Sequence, residues 1–132
     1  MTGRAGPTGT DERGSAVVDF ALVGVLLVVV LLAVLQLAVA LHVRATLVAS
    51  AAEGAREAAV ADHRLGDGVR RTRELVRASL PESYAGQVTA WYEDDAGVRT
   101  VAVQVRAPLP VVGLLGPSAD LTVVGHCVVE PA

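Results

Sequence analysis

The sequence predicts an α+β protein: a long N-terminal transmembrane helix continuing into a small domain with a second helix and a three-stranded antiparallel sheet. Three observations carry this expectation. The run from Phe20 to Leu41 is apolar on every side, the stretch after it keeps a helical composition as far as Arg64, and beyond Pro81 the apolar residues switch to alternation. The first is the strongest. Of the 27 residues from Ser15 to Leu41, 23 are apolar, so this one segment explains why a 132-residue chain is 52% apolar but only 3% aromatic. That distribution excludes a soluble enzyme with an evenly spread core. A net charge of −3 excludes a basic nucleic-acid-binding tail, and no nucleic-acid partner is expected.

As a helix, the 22 residues FALVGVLLVVVLLAVLQLAVAL span about 33 Å, enough to cross a bilayer. A soluble domain of this size has no interior able to surround a helix that is apolar all round. Residues 1–14 are short, polar and glycine-rich, which makes them a leader; residues 15–41 form the span and residues 42–132 the outer domain. Three fates fit such an arrangement. The leader stays on as part of an uncleaved anchor, it is removed just before the apolar run, or a secretory cut after Ala40 in Ala38-Val39-Ala40 releases a soluble domain. The apolar run is longer than the roughly 7–15 residues usual for a secretory signal.

Asp19 discriminates among these fates. A carboxylate one residue before Phe20 costs about 2.5–3.5 kcal/mol at hydrocarbon depth and needs compensation. It stands fifth after Gly14, which closes the charged string DERG before SAVVDFALV. This arrangement resembles the processing site of type IV pilin-like proteins, and the leader, RGSAVVDFALV and the alanine-rich extension resemble the TadE-like pseudopilins of the tight-adherence (Flp) pilus system. Asp replaces the usual Glu, and Ser15 replaces the Phe that begins many ordinary pilins.

The resemblance implies a minor pilin-like subunit cut by a prepilin peptidase between Gly14 and Ser15. It further implies that Asp19 pairs with the new α-amine of Ser15 on a neighbouring subunit. The implied partners are the membrane, the peptidase, other pilin-like subunits and the pilus assembly platform. The implied location is the cytoplasmic membrane, single-pass, with the N-terminus cytoplasmic and the C-terminal domain outside, or the pilus itself. Two rival readings are an uncleaved single-pass protein whose outer domain binds a ligand or partner, and the domain secreted by the cut after Ala40.

Past the span, Leu41, Ala45, Val48, Ala52, Ala55 and Ala59 recur at spacings of three and four, with Arg44, Glu53, Arg56 and Glu57 elsewhere on the helix. Gly54 weakens that helix by roughly 1 kcal/mol. Asp62 to Gly68 reads as a break. GVRRTRELVRASLP then reads as a second helix with Asp67 at its N-cap, Val69, Val76 and Leu80 inward beside Leu65, and Arg70, Arg73 and Arg77 on another face. That arginine face suits solvent, or an acidic partner or headgroup.

Val88, Ala90 and Tyr92 alternate with polar neighbours, Asp94 to Gly97 supply a turn, and Val101, Val103 and Val105 alternate again, which predicts a hairpin. A loop through Pro108, Pro110 and Pro117 leads to a third strand over Leu121 to Val129.

No catalytic, cofactor-binding or metal-ligating constellation is expected. His126 and Cys127 are adjacent, and consecutive strand residues face opposite ways. His42, His63 and His126 have no ligand spacing, and Asp94 and Asp95 beside Gly97 are ordinary turn residues. Cys127 is the single cysteine, either a small buried residue of the third strand or one free for an intermolecular bond.

Overall fold

A computed structural model of the chain describes residues 2–3, 6, 10–60, 62–109 and 120–131. The elements run α1 (Thr10–Ala59), α2 (Leu65–Ser79), a single 3₁₀ turn (Glu82–Tyr84), β1 (Gln87–Asp95), β2 (Val98–Pro108) and β3 (Asp120–Val128). This is the expected α+β fold. The chain divides into two units, residues 1–37 and 38–132.

In the first unit α1 opens with Asp11 and Glu12 in its first turn, where carboxylates oppose the positive end of the helix dipole. Valine-rich sequence such as Val28–Val30 has no intrinsic helical bias. In hydrocarbon, however, every backbone N–H and C=O must be satisfied within the segment, and a helix does this alone. The helix is long and apolar enough to cross a membrane, and none of its most apolar window is buried. Large apolar side chains stand exposed from Val17 through Leu37. An uncovered surface of that extent marks a lipid or protein contact in place of water.

In the second unit the remaining turns of α1 bury Val43, Leu47, Ala51, Ala55, Ala58 and Ala59, together with Ser50 and Gly54. This corrects the expected stripe. Leu41, Ala45 and Val48 are exposed and Ala52 is half-buried, while Ala55 and Ala59 are shared by both stripes. The helix is so rich in alanine that two neighbouring faces read as equally apolar. The choice is made by Val43 and Leu47, the bulky residues that enter the core beside Val101, Val103 and Val105.

Gly54 does not interrupt α1; it is where α2 approaches. A methyl group on Gly54 would stand 2.6 Å from the Gly68 carbonyl oxygen, and one on Gly68 would stand 2.5 Å from the Gly54 carbonyl oxygen. Thr72, fully buried next to them, donates its hydroxyl to the Gly68 carbonyl at 2.9 Å. Gly125 of β3 is similarly tight, since a methyl group there would lie 2.7 Å from the Ala51 carbonyl oxygen.

The helix ends with its carbonyls occupied. Ala59 accepts the Glu130 N–H at 3.1 Å, and Glu57 accepts His63 Nδ1–H at 2.8 Å. Asp62 then takes a left-handed φ of 72°, which Asp tolerates better than most residues.

Helix α2 begins three residues before the expected Gly68. Its N-cap is Arg64, and Asp67 lies at the third helical position. The correction has a chemical reason. Asp67 still satisfies a free donor, but by reaching back: its carboxylate accepts the Arg64 N–H at 2.8 Å and Arg70 Nη2 at 2.8 Å. Arg64 has no acceptor in its side chain, so the Asp67 N–H donates to the Arg64 carbonyl at 2.9 Å. These contacts, the Arg64 N–H first and the Arg70 side chain second, hold the Asp67 carboxyl below the usual carboxylate range. Val76 is fully buried, and Leu65, Val69 and Leu80 pack against the core as expected.

The sheet has order β1-β2-β3, antiparallel throughout, with Val88 opposite Val105 and Val103 opposite Gly125. Its strands run closer to the turn than the sequence predicts, leaving Ala96 and Gly97 alone between Asp95 and Val98. Both have positive φ, 49° and 83°, the twist that suits a two-residue hairpin. Val88, Val101, Val103, Val105, Ala107 and Val123 line the inner face. Tyr92 is on that face as expected, opposite Val101, but lies near the turn where it is 46% exposed, with the Arg99 guanidinium 5.6 Å from its ring centroid.

Ala102 is buried on the opposite face, where its cross-strand neighbours are Trp91 and His126. The third strand starts one residue earlier than expected, and beyond Val128 the Val129 N–H still donates to Arg99 at 2.9 Å. Pro108 closes β2, and the expected loop residues Pro110 and Pro117 lie outside the described residues.

Two predictions follow for the full-length protein in detergent, read by circular dichroism melting. Gly54→Ala forces two backbones apart and destabilises by about 1–3 kcal/mol, lowering the midpoint by several degrees, whereas Gly66→Ala, with open space around it, does not. Asp67 has a lower pKa folded than unfolded, so its contribution is present above about pH 4 and lost as pH falls through the folded value. Asp67→Asn therefore melts earlier than the parent at pH 7, and the two midpoints converge in acid.

Candidate functional site

Gly14, Ser15 and Asp19 sit together on the first turns of α1. Thr10 begins the helix, so the Gly14–Ser15 peptide bond lies four residues inside it. At such a depth from a helix end, opening one turn costs little, because few hydrogen bonds are lost. Nothing lies within 4 Å of the position a Gly14 side chain would take, and Gly14, Ser15 and Asp19 are all exposed. The bond is therefore sterically accessible.

Ser15 and Asp19 are four residues apart and share a helix face, separated by a rise of about 6 Å. Among the described residues no cation lies within ion-pair distance of the Asp19 carboxylate. A little further along, the absent side chain of Gly24 leaves an apolar groove of about 380 Å³ lined by Phe20, Ala21, Val25, Val28 and Val29. Small residues of this kind let a second apolar helix come close.

A second group of charges lies in residues 38–132. Arg70, Arg73 and Arg77 share one side of α2, and with Gly66, Ala85 and Gly86 they border a groove of about 540 Å³. Arg70 pairs with Asp67 at 2.8 Å. Arg77 holds Glu82 through two nitrogens, Nε at 2.8 Å and Nη2 at 2.7 Å, and these hydrogen bonds keep the Glu82 carboxyl below its ordinary range. Arg73 has no carboxylate in ion-pair range among the described residues. The sequence placed the three arginines on one face; the groove depends on Ala85 and Gly86, whose approach to α2 the sequence does not announce.

The remaining reactive side chains are dispersed. His63 lies against Glu57, and His126 lies 3.6 Å from Glu93, whose other oxygen accepts the Trp91 indole N–H at 2.7 Å. Cys127 is half-buried against the core on the face opposite His126. Among the described residues no three His, Cys, Asp or Glu side chains are grouped to hold a metal ion.

Comparison with known proteins supplies one match. Neither the curated proteins nor the solved structures include one that matches the chain. Residues 14–56 match the family model described as TadE-like protein. The match opens at Gly14, takes in Ser15, Asp19 and the whole exposed apolar run, and ends at Arg56 beside the Gly54 contact, so the chain carries the TadE-like region.

Proposed function

We propose that the chain is a minor pilin-like subunit, a pseudopilin, cut after Gly14 by a prepilin peptidase and joined to other pilin-like subunits in tight-adherence pilus assembly. The TadE-like match supports a pilus-associated, pilin-like protein, and TadE-like pilus components are structural proteins, not enzymes. The observation that carries the finer reading is the grouping of Gly14, Ser15 and Asp19 at the head of an uncovered apolar helix, inside that match.

The electrostatics give the grouping a purpose. A cut after Gly14 turns the Ser15 amide into a positive amine at the helix N-terminus, where the dipole is also positive. A carboxylate is the group that offsets both, and Asp19 is a carboxylate entering an apolar segment with no cation partner among the described residues. Each charge alone is costly in a low dielectric; together they compensate each other. The groove at Gly24 and the bare aliphatic surface around it give a neighbouring span a place to pack. In this reading residues 1–14 are a cleaved leader on the cytoplasmic side, residues 15–41 span the cytoplasmic membrane once, and residues 42–132 lie outside. The peptidase and the assembly platform are the transient partners.

N-terminal sequencing of the membrane-associated protein tests the cut: Ser15 as first residue supports the pseudopilin, an intact leader supports an uncleaved anchor, and Leu41 supports a secreted domain. Gly14→Leu is expected to leave the leader on. Asp19→Ala is expected to insert normally but to lower the recovered oligomer by roughly tenfold or more, the scale of an uncompensated buried charge. Asp19→Glu should retain assembly, and normal assembly of Asp19→Ala overturns the pairing.

A further inference from the structure

We propose that the outer domains of successive copies associate head to tail, the acidic hairpin tip of one copy seating in the arginine groove of the next. The inference rests on the assembly reading above and names a contact made outside the apolar helix.

The groove is basic and concave. Its lining carries three arginines, Arg70, Arg73 and Arg77, against one carboxylate, Glu74; Arg70 is paired with Asp67 and Arg77 with Glu82, and Glu74 lies 3.7 Å from Arg71. Arg73 has no carboxylate partner among the described residues and stands half-buried at the wall of a space of about 540 Å³ bordered also by Gly66, Ala85 and Gly86. A guanidinium without a partner, set in a recess, is a receptor for a carboxylate.

The hairpin tip is its complement in charge and shape. Glu93 is held by the Trp91 indole N–H and lies 3.6 Å from His126, Asp94 meets Arg99 only at a long 3.7 Å, and Asp95 has no cation in ion-pair range among the described residues. The turn itself is Ala96-Gly97, narrow and exposed, with nothing within 4 Å of the position a Gly97 side chain would take. A tight two-residue turn fixes the direction of Asp95, whose side chain leaves the strand on the face opposite Asp94, and adds no bulk that would keep it out of a recess.

The two features cannot satisfy each other within one copy. The groove borders Ala85 and Gly86, immediately before β1 begins at Gln87, and the tip follows Asp95, where β1 ends. Nine strand residues hold them about 30 Å apart. Different patches on the two partners make the contact heterologous, and such a contact propagates as an open row unless it closes into a ring. An exposed ion pair changes association by about fivefold at most. That suffices between copies already held together by their apolar helices, because the second contact is then made at high effective concentration.

The test uses full-length protein reconstituted in phosphatidylcholine vesicles, with Cys127→Ser, Gly66→Cys and Ala96→Cys, and a bismaleimide cross-linker. A head-to-tail row yields a ladder beyond the dimer. Arg73→Glu or Asp95→Arg alone is expected to weaken the ladder about three- to fivefold, and the two reversals together to restore it. Failure of the double reversal to restore the ladder, with each protein folded by circular dichroism, overturns the proposal. It is also overturned if Arg73→Glu acts only when phosphatidylglycerol is present and Asp95→Arg has no effect, which assigns the groove to anionic headgroups. A chain that starts at Ser15 and assembles through Asp19 but ignores the reversals sinks this contact alone; an intact leader with a reversal-sensitive ladder sinks the processing reading alone.

Discussion

The packing of residues 38–132 depends on how close two backbones can come. Beyond Leu47 the buried side of α1 offers serine, alanine and glycine, so the helix has almost no side-chain wall. A thin helix gains dispersion energy only if its neighbours reach its backbone, and they do so where they too lack a side chain. Gly68 of α2 meets Gly54, and Gly125 of β3 meets Ala51. Buried Thr72 fits beside the first contact because its hydroxyl is satisfied by Gly68. The larger side chains, Val76 and the valines of β2, then fill the space these contacts define.

This explains which parts of the fold could be read from the residues. Periodicity separates helix from strand wherever bulky apolar residues recur, so α2, the hairpin and β3 were all legible. An alanine-rich helix gives no such signal for its face. Leu41 and Val48 pointed to one stripe and Val43 and Leu47 to another, and only the position of the sheet decides between them. Gly54 was read as a weakness because propensity counts what a glycine costs its own helix; its contact with Gly68 lies fourteen residues away and is invisible to local reasoning. Asp67 was placed at the N-cap by its residue type, and the same chemistry operates three positions into the helix because the carboxylate reaches backward.

The proposed processing residues come from residue type and counting alone. A single carboxylate at the edge of an apolar run is conspicuous because its burial is expensive, and its distance from Gly14 is a matter of counting. The arginine groove was half legible: a helical wheel collects Arg70, Arg73 and Arg77, but the pairing of Arg70 with Asp67 and of Arg77 with Glu82, which leaves Arg73 unmatched, requires the fold.

The last strand has a consequence for timing. Gly125 contacts Ala51, and the Glu130 N–H reaches Ala59, so the helix is closed off by segments synthesised roughly seventy residues later. A nascent chain ending before Asp120 lacks one of the two strands that flank β2 and the residues that complete the core at Val123. Cooperative folding of residues 38–132 therefore waits until β3 has been made. The order of elements along the chain thus makes the helix that is laid down first wait for β3 before its Ala51 and Ala59 turns are covered.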